Sequence, residues 1–182
     1  MSSVVKEIRY ETPMEHINFA HPTIFLAGPT VRGNQPHLTS WRFEAVRLLQ
    51  ERVFLDEKMC LLNIIIPEFT DITQSDKYRY DIPIWERTGL IKSDVILFWV
   101  PRTRELIGLT TNHEHGYWMA RDRRKMVYGR PDDAYRVTYL DIMWVEDAKN
   151  NCWSSHIDIY DTLPKTVKAA MELLNNLCPN KR

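Results

Sequence analysis

The chain has 182 residues, of which 44% are apolar and 26% charged, a balance typical of one globular domain with a sizeable core. Lys and Arg together number 24, as do Asp and Glu, so the formal net charge is zero. Because affinity for nucleic acid polymers depends on excess positive charge, this balance argues against a general polyanion binder. The sequence has no apolar run of the ~18 residues that a membrane-spanning helix requires, so no membrane partner is expected.

The cysteines and histidines indicate neither a disulfide framework nor a metal site. Cys60, Cys152 and Cys178 are odd in number and widely spaced. His113 and His115 are two residues apart, so they face different sides of a helix and form no zinc motif. The N-terminus also lacks the apolar core of a secretory signal. We therefore expect a reducing, cytoplasmic location and no metal or other cofactor.

The predicted elements alternate between apolar strands and amphipathic helices. Residues 1–22 are polar and predict a loose N-terminal arm. Apolar runs that end at Gly or Pro predict the strands, which are Thr23–Ala27, 61–66, 94–100 and 125–128. Helical spacing predicts helices from about residue 40, over 82–91, over 112–123 and from Pro164 onward, whereas 138–145 is ambiguous between strand and helix.

This alternation predicts an α/β fold, with residues 23–182 as a single doubly wound domain. Its sheet is expected to be largely parallel, Rossmann-like or flavodoxin-like, with about five strands. Ligands in such sheets bind beyond the carboxyl ends of the strands. The segments 28–38, 67–81 and 101–111 follow three predicted strand ends, so the site is expected there.

The first candidate site segment is Gly28-Pro-Thr-Val-Arg-Gly33, between a strand and a helix. Glycines there let backbone N–H groups approach a phosphate or a sugar hydroxyl, and the helix N-terminus favours an anion. The segment matches neither the P-loop nor the GxGxxG pattern. Taken alone, an ordinary strand-to-helix turn is the better interpretation.

Two glutamates are the candidates for chemistry. Glu114 is predicted in the first turn of a helix, where stabilisation of the helix dipole by ~0.3–1 kcal/mol is the alternative interpretation. Gly116, two residues on, would allow close approach of another backbone or a ligand. Glu86 follows Trp85, whose ring could stack on a base, although a core Trp beside a solvated Glu is the commoner situation. Two facing carboxylates suit acid–base chemistry at a glycosidic bond.

The chain resembles the nucleoside 2-deoxyribosyltransferase superfamily, in the branch with the motif Thr-Thr-Asn-x-Glu-x-Gly. The resemblance covers roughly residues 23–139 and rests on segments in a fixed order, which is more specific than any single motif. The segments are Ile24-Phe-Leu-Ala-Gly-Pro29, Trp85-Glu86, Ser93-Asp-Val-Ile-Leu-Phe98, Gly108-Leu-Thr-Thr-Asn-His-Glu-His-Gly116 and Val127-Tyr-Gly-Arg-Pro-Asp-Asp133.

The resemblance implies that Glu114 is a nucleophile that attacks the anomeric carbon, and that Glu86 holds the base and passes a proton to its ring nitrogen. The implied substrate-binding residues are Phe25, Gly28, Pro29, Thr30, Arg32, Gly33, Trp85 and Asn112. Phe25 stands where the best-known members have a Tyr that bonds the nucleophile. That bond is therefore lost or comes from another residue, for which Tyr117 and Tyr80 are candidates. The resemblance also implies a homo-oligomer in which a neighbouring subunit completes the site.

The implied function is exchange of one nucleobase for another on a 2'-deoxynucleoside, by double displacement through a glutamyl-deoxyribosyl intermediate. The expected partners are nucleosides or nucleotides and free nucleobases. Two alternatives stay open. One is a hydrolase of 2'-deoxynucleoside 5'-monophosphates, in which Arg32 and the glycine loop bind the phosphate. The other is a non-enzymatic nucleotide sensor on the same fold.

Overall fold

A five-stranded parallel sheet with helices on both faces forms the fold. The computed structural model describes residues 7–31, 35, 37–56, 59, 61–69, 77–150 and 157–179. The strands are β1 (Glu7–Glu11), β2 (Thr23–Ala27), β3 (Leu61–Ile65), β4 (Val95–Trp99) and β5 (Met126–Gly129). Their order is β1–β3–β2–β4–β5, and every neighbouring pair is parallel. The predicted single-domain, doubly wound α/β fold is thereby confirmed.

The helices divide between the two faces of the sheet. They are α1 (Trp41–Leu55), α2 (Ile82–Lys92), α3 (Leu109–Asp122), α4 (Thr138–Asn150) and α5 (Leu163–Leu177). Helices α1 and α5 pack with one buried cluster of apolar side chains, and α2, α3 and α4 pack with the other. None of the helices in the described ranges has the length and apolarity that crossing a bilayer requires.

The central strands are apolar throughout because both of their faces are covered. Ile24 and Leu26 of β2 belong to the cluster under α1 and α5, whereas Phe25 and Ala27 belong to the opposite cluster. All five residues of β2 and of β4 are buried. Alternate side chains of a strand point to opposite faces, so a strand covered on both sides is a continuous apolar run.

The prediction of a loose arm over residues 1–22 was wrong at its centre. Glu7–Glu11 forms β1, which pairs with β3 at the edge of the sheet. An edge strand needs few apolar positions: Ile8 packs against the core, while Glu7 and Arg9 are exposed. The following segment runs back over the sheet, where Ile17 is buried among the side chains under α2, α3 and α4.

The structure corrects one predicted helix start and resolves the segment that the sequence left open. Helix α3 begins at Leu109, three residues before the predicted start, so Glu114 lies in its second turn and not its first. Gly108 immediately precedes the helix with a left-handed φ of 59°. The ambiguous segment 138–145 is part of helix α4, whose buried residues Leu140, Trp144 and Ala148 recur at every fourth position.

Two helical glycines with opposite surroundings test this packing. A Cβ at Gly89 of α2 would lie 2.9 Å from Cε2 of Phe25, whereas a Cβ at Gly116 of α3 meets nothing within 4 Å. We expect Gly89→Ala to lower the free energy of unfolding by ~1–3 kcal/mol because it overpacks the core. Gly116→Ala should raise it by ~0.5–1 kcal/mol, the gain of Ala over Gly inside a helix. Urea unfolding of both variants checks the pair, and equal effects would contradict the seating of α2 on β2.

Candidate active site

The carboxyl ends of β2 and β4 meet at two glycines. Gly28, at the end of β2, has a φ of 152°, and a Cβ there would lie 2.1 Å from the backbone oxygen of Trp99 at the end of β4. A Cβ at Gly108, before α3, would lie 2.8 Å from the Pro29 ring. Both positions therefore need glycine, since any other side chain collides with its neighbour. The Gly28-Pro29 turn and the start of α3 are in close contact as a result.

Arg42, at the start of α1, donates hydrogen bonds to the backbone of the Gly28-Pro29 turn. Its side chain is 1% exposed. Nε donates to the Leu26 oxygen at 3.1 Å, Nη2 to the Gly28 oxygen at 2.8 Å and Nη1 to the Pro29 oxygen at 3.3 Å. Leu26 is still paired with Leu97 of β4, whereas Gly28 and Pro29 follow the last paired residue of β2, so for these two the guanidinium takes the place of ladder hydrogen bonds.

A carboxylate from the end of β3 completes the surroundings of Arg42. Nη1 of Arg42 lies 3.0 Å from Oε2 of Glu68. The same oxygen accepts a hydrogen bond of 2.6 Å from Oγ of Ser40, the N-cap residue of α1. A buried charge without a counter-ion is strongly destabilising, so this ion pair is part of what allows Arg42 to be buried.

Two further carboxyl groups lie near the Arg42 charge. Glu86 is on α2, one turn before the Gly89 that packs against Phe25. Glu114 is on α3, the helix that begins against Pro29. Both side chains are half-buried, and neither has a hydrogen-bond partner among the described residues. The structure thus brings together the two glutamates that the sequence analysis singled out.

Burial raises the pKa of both carboxyl groups towards neutral pH. It raises the pKa of Glu86 to about 7, with the nearby Glu114 charge adding to the increase and Arg42 opposing it. Burial likewise raises the pKa of Glu114 to about 7, again against the effect of Arg42. At neutral pH such a pair can hold one proton and one negative charge, the state that a nucleophile beside a proton donor requires.

Two predicted substrate-binding residues have structural roles. Phe25 is 1% exposed and lies in the core beneath Gly89, so it presents no surface to a ligand in this structure and supports α2 instead. Trp85 is half-buried, and its Nε1 donates to the Glu15 oxygen at 2.9 Å. Its ring therefore anchors the N-terminal segment against α2.

The other predicted binding residues lie at or near the Gly28-Pro29 turn. Gly28 and Pro29 are buried and Thr30 is half-buried. Arg32 and Gly33 lie outside the described residues. Asn112 is exposed, and its Oδ1 accepts a hydrogen bond of 2.6 Å from Nη2 of the buried Arg102.

Neither proposed replacement for the missing Tyr hydroxyl contacts Glu114. The hydroxyl of Tyr117 accepts a hydrogen bond of 3.1 Å from Arg121, one turn further along α3. Tyr80 is 84% exposed before α2. Of the two close approaches proposed at Gly116, that of another backbone is not seen among the described residues, because a Cβ there would meet nothing within 4 Å. Glu114 therefore takes its environment from burial and from Arg42.

Arg42 and Glu68 belong to the site but were not predicted from the sequence. Arg42 was overlooked because a charged residue in the first turn of a helix is ordinarily solvated. One signal was available: Ser40 predicts the helix start, and the next residue, Trp41, is apolar. Trp41 is buried beside Arg42, and its Nε1 also donates to the Pro29 oxygen, at 3.0 Å. Glu68 follows a strand-ending Pro67, a position that marked the correct edge of the sheet but no particular role.

Two cavities lie elsewhere, and neither is lined by Glu86 or Glu114. One of about 400 Å³ lies at the amino end of β4 and includes Asp94 and Lys125 in its lining. Its lysine is already used, because Nζ donates to the oxygens of Leu90, Ile91 and Ser93 at the end of α2. The other, of about 270 Å³, lies along β5. Ligands of parallel sheets bind at the opposite, carboxyl edge, which favours the glutamate site.

The described residues include no group of three or more His, Cys, Asp and Glu side chains placed to hold a metal ion. No protein-family model matches the chain, and no curated protein is significantly similar to it. The residues of the site therefore carry the functional proposal.

The raised pKa values predict that the site lowers the stability of the fold at neutral pH and above. A carboxyl whose pKa is near 4.5 in the unfolded chain and about 7 in the folded chain holds its proton better when folded. Its contribution to stability is complete below pH 4.5 and is lost as the pH rises through 7. We expect Glu114→Gln to raise the free energy of unfolding at pH 8 by ~1–3 kcal/mol and to change it little at pH 4.5. Chemical denaturation at both pH values measures this, and equal effects at the two would contradict the assigned burial.

Proposed function

We propose that the protein exchanges nucleobases on 2'-deoxynucleosides, breaking and re-forming an N-glycosidic bond by double displacement. The observation that carries the proposal is the pair of half-buried carboxyls, Glu86 and Glu114, whose pKa values are both raised to about 7 beside one buried guanidinium. A carboxylate pair of this kind suits cleavage of a glycosidic bond. The location at the carboxyl edge of a parallel sheet and the ordered motif series add support.

The first half of the reaction is departure of the base. A carboxylate oxygen of Glu114 forms a bond to the anomeric carbon while the bond from that carbon to the base nitrogen breaks. The electron pair of the broken bond stays on the base, and Glu86 supplies the proton that neutralises it. A 2'-deoxy sugar is favoured because it lacks the electron-withdrawing 2'-hydroxyl that disfavours an oxocarbenium-like transition state.

The second half reverses these steps with a new base. A ring nitrogen of the incoming base attacks the anomeric carbon, the ester bond to Glu114 breaks, and Glu86 takes up the proton that the base loses. Two displacements at the same carbon give net retention of configuration. If water attacks in place of a base, the outcome is hydrolysis, which is the activity of the alternative N-hydrolase.

The experiment is incubation of the protein with 2'-deoxynucleosides and their 5'-monophosphates, with and without adenine, followed by chromatography. The transferase proposal expects a new nucleoside that appears when adenine is present. Base release from a 5'-monophosphate without an acceptor would contradict the transferase and support the hydrolase. Binding without any turnover would contradict both enzymes and support the nucleotide sensor.

The role of Glu114 as nucleophile predicts a trapped covalent intermediate. With a 2-fluoro-2-deoxyarabinosyl nucleoside and no acceptor, the wild type should accumulate an adduct, since fluorine destabilises the oxocarbenium-like state through which the ester breaks down. Intact-mass analysis should detect the adduct, and peptide mapping should locate it in residues 112–116. Glu114→Gln should form no adduct and lose turnover by orders of magnitude while keeping its circular dichroism spectrum.

Glu86→Gln is the matched control. It should slow release of natural bases by ~10²–10⁴-fold, because they need a proton, and slow an activated leaving group much less. An adduct on Glu86 would reverse the two roles. Normal turnover of Glu114→Gln would end the proposal.

We further propose that the protein acts as a homo-oligomer that buries the outer face of α2. Ile84 is 68% exposed and Ile91 37%, and their spacing of seven residues places them on one side of the helix that carries Glu86, while Tyr80, in the turn before this helix, is 84% exposed. Contiguous exposed apolar side chains are typical of interaction surfaces. Ile84→Arg should reduce the mass measured by light scattering to that of a monomer. The control Phe54→Arg, at an exposed apolar position of α1, should not, and a monomeric wild type would refute the proposal.

A further inference from the structure

Arg42, the most completely buried charge near the site, takes no part in the two displacement steps. All of its nitrogens donate hydrogen bonds, to the oxygens of Leu26, Gly28 and Pro29 and to the carboxylate of Glu68. These acceptors come from the ends of β2 and β3. A guanidinium fixed by four acceptors on a rigid sheet edge has little freedom to move, so its charge has a defined position.

Both helices that carry the site glutamates rest on the structure that Arg42 holds. Helix α2 contacts β2 through Gly89 and Phe25, and α3 begins with Gly108 against Pro29. Arg42 bonds the backbone of β2 and of the Pro29 turn from the other face of the sheet. The position of each glutamate relative to Arg42 is therefore set by a close backbone contact rather than by flexible side chains.

We propose that Arg42 and Glu68 are the positioning pair of the active site, where the fixed guanidinium keeps one of Glu86 and Glu114 ionised while the other holds a proton. The inference rests on the proposed function for calling these glutamates catalytic, but the pair's electrostatic effect exists without any substrate. Glu68 modulates that effect, because its carboxylate neutralises part of the Arg42 charge at 3.0 Å.

The charges that act on the glutamates support this assignment. Arg42 lowers the pKa of both Glu86 and Glu114, against burial and, for Glu86, against the charge of Glu114. Without Arg42, the pKa of both carboxyls would rise further, so less of the ionised nucleophile would be present at neutral pH. With a stronger positive charge, the pKa of both would fall, so less of the protonated donor would be present.

The test uses the two members of one ion pair, whose removal should have opposite effects. The titration of Glu86 and Glu114 is followed by the ¹³Cδ resonances of labelled glutamate, assigned through Glu86→Gln and Glu114→Gln. Arg42→Gln should raise the proton affinity of both glutamates by ~tenfold or more, which is about one pKa unit. Glu68→Gln should lower it, because the Arg42 charge is then no longer neutralised. Arg42→Lys should stay closest to wild type.

A purely structural role predicts another pattern, in which both substitutions break the same ion pair and shift the titrations in the same direction. That result, or unchanged titrations in both variants, would overturn the proposal. Arg47→Gln is the matched control, since Arg47 is an exposed arginine of α1 that pairs with Glu44 and Glu51, and it should change nothing. If Arg42→Gln fails to fold, Glu68→Gln decides: a lower proton affinity supports the pair, and a higher or equal one refutes it.

These titrations distinguish the inference from the proposed function because they need no turnover. Opposite shifts in a protein that transfers no base would support the positioning pair and refute the transferase. If turnover is found, the acidic limb of the pH profile of kcat/KM should move to higher pH in Arg42→Gln and to lower pH in Glu68→Gln.

Discussion

Burial of the Arg42 guanidinium is the constraint on which the site depends. Moving such a charge out of water costs several kcal/mol unless each donor finds an acceptor and a counter-ion is near, by the general behaviour of buried ions. Here three carbonyl oxygens at the end of β2 and the carboxylate of Glu68 meet that requirement. The same bonds fix the Gly28-Pro29 turn. Because Gly108 packs directly against Pro29, the position of this turn determines where α3 can begin. A single electrostatic requirement thereby orders the carboxyl edge of the sheet.

Glu86 and Glu114 lie in the same region but, unlike Arg42, their charged groups are not satisfied by hydrogen bonds. Neither has a hydrogen-bond partner within the described ranges, so burial outweighs the opposing charge of Arg42 and raises the pKa of each to about 7. Groups that are left unsatisfied in this way lower stability and gain reactivity. The contrast with Arg42 separates a charge that organises structure from carboxyls that are available for chemistry.

Local patterns predicted the central elements because their causes are local. The continuous apolar runs of β2 and β4 follow from burial on both faces, and Ser40 marks the start of α1 through its own side-chain bond to the Arg42 amide. Strand β1 was missed because an edge strand is stabilised by pairing with β3, about 50 residues away in sequence, and not by its own composition. The start of α3 was missed because Thr110 and Thr111 have low helix propensity, which contacts with the sheet outweigh.

The same distinction explains which parts of the site could be found. The two glutamates stand in a recognisable motif order, whereas the role of Arg42 depends on Glu68, 26 residues away, and on carbonyls that no sequence pattern reports. The topology supplies the rest. From β2 the chain enters α1 on one face of the sheet, and from β4 it enters α3 on the other, so the ends of these neighbouring strands form a switch point, the place where ligands of open α/β sheets bind. Gly28 packs against Trp99 at the end of β4, and Gly108 packs against Pro29, so the two strand ends and the start of α3 lie close together. The candidate nucleophile and proton donor are on two helices of one face, and Arg42 bonds the same strand end from the opposite face.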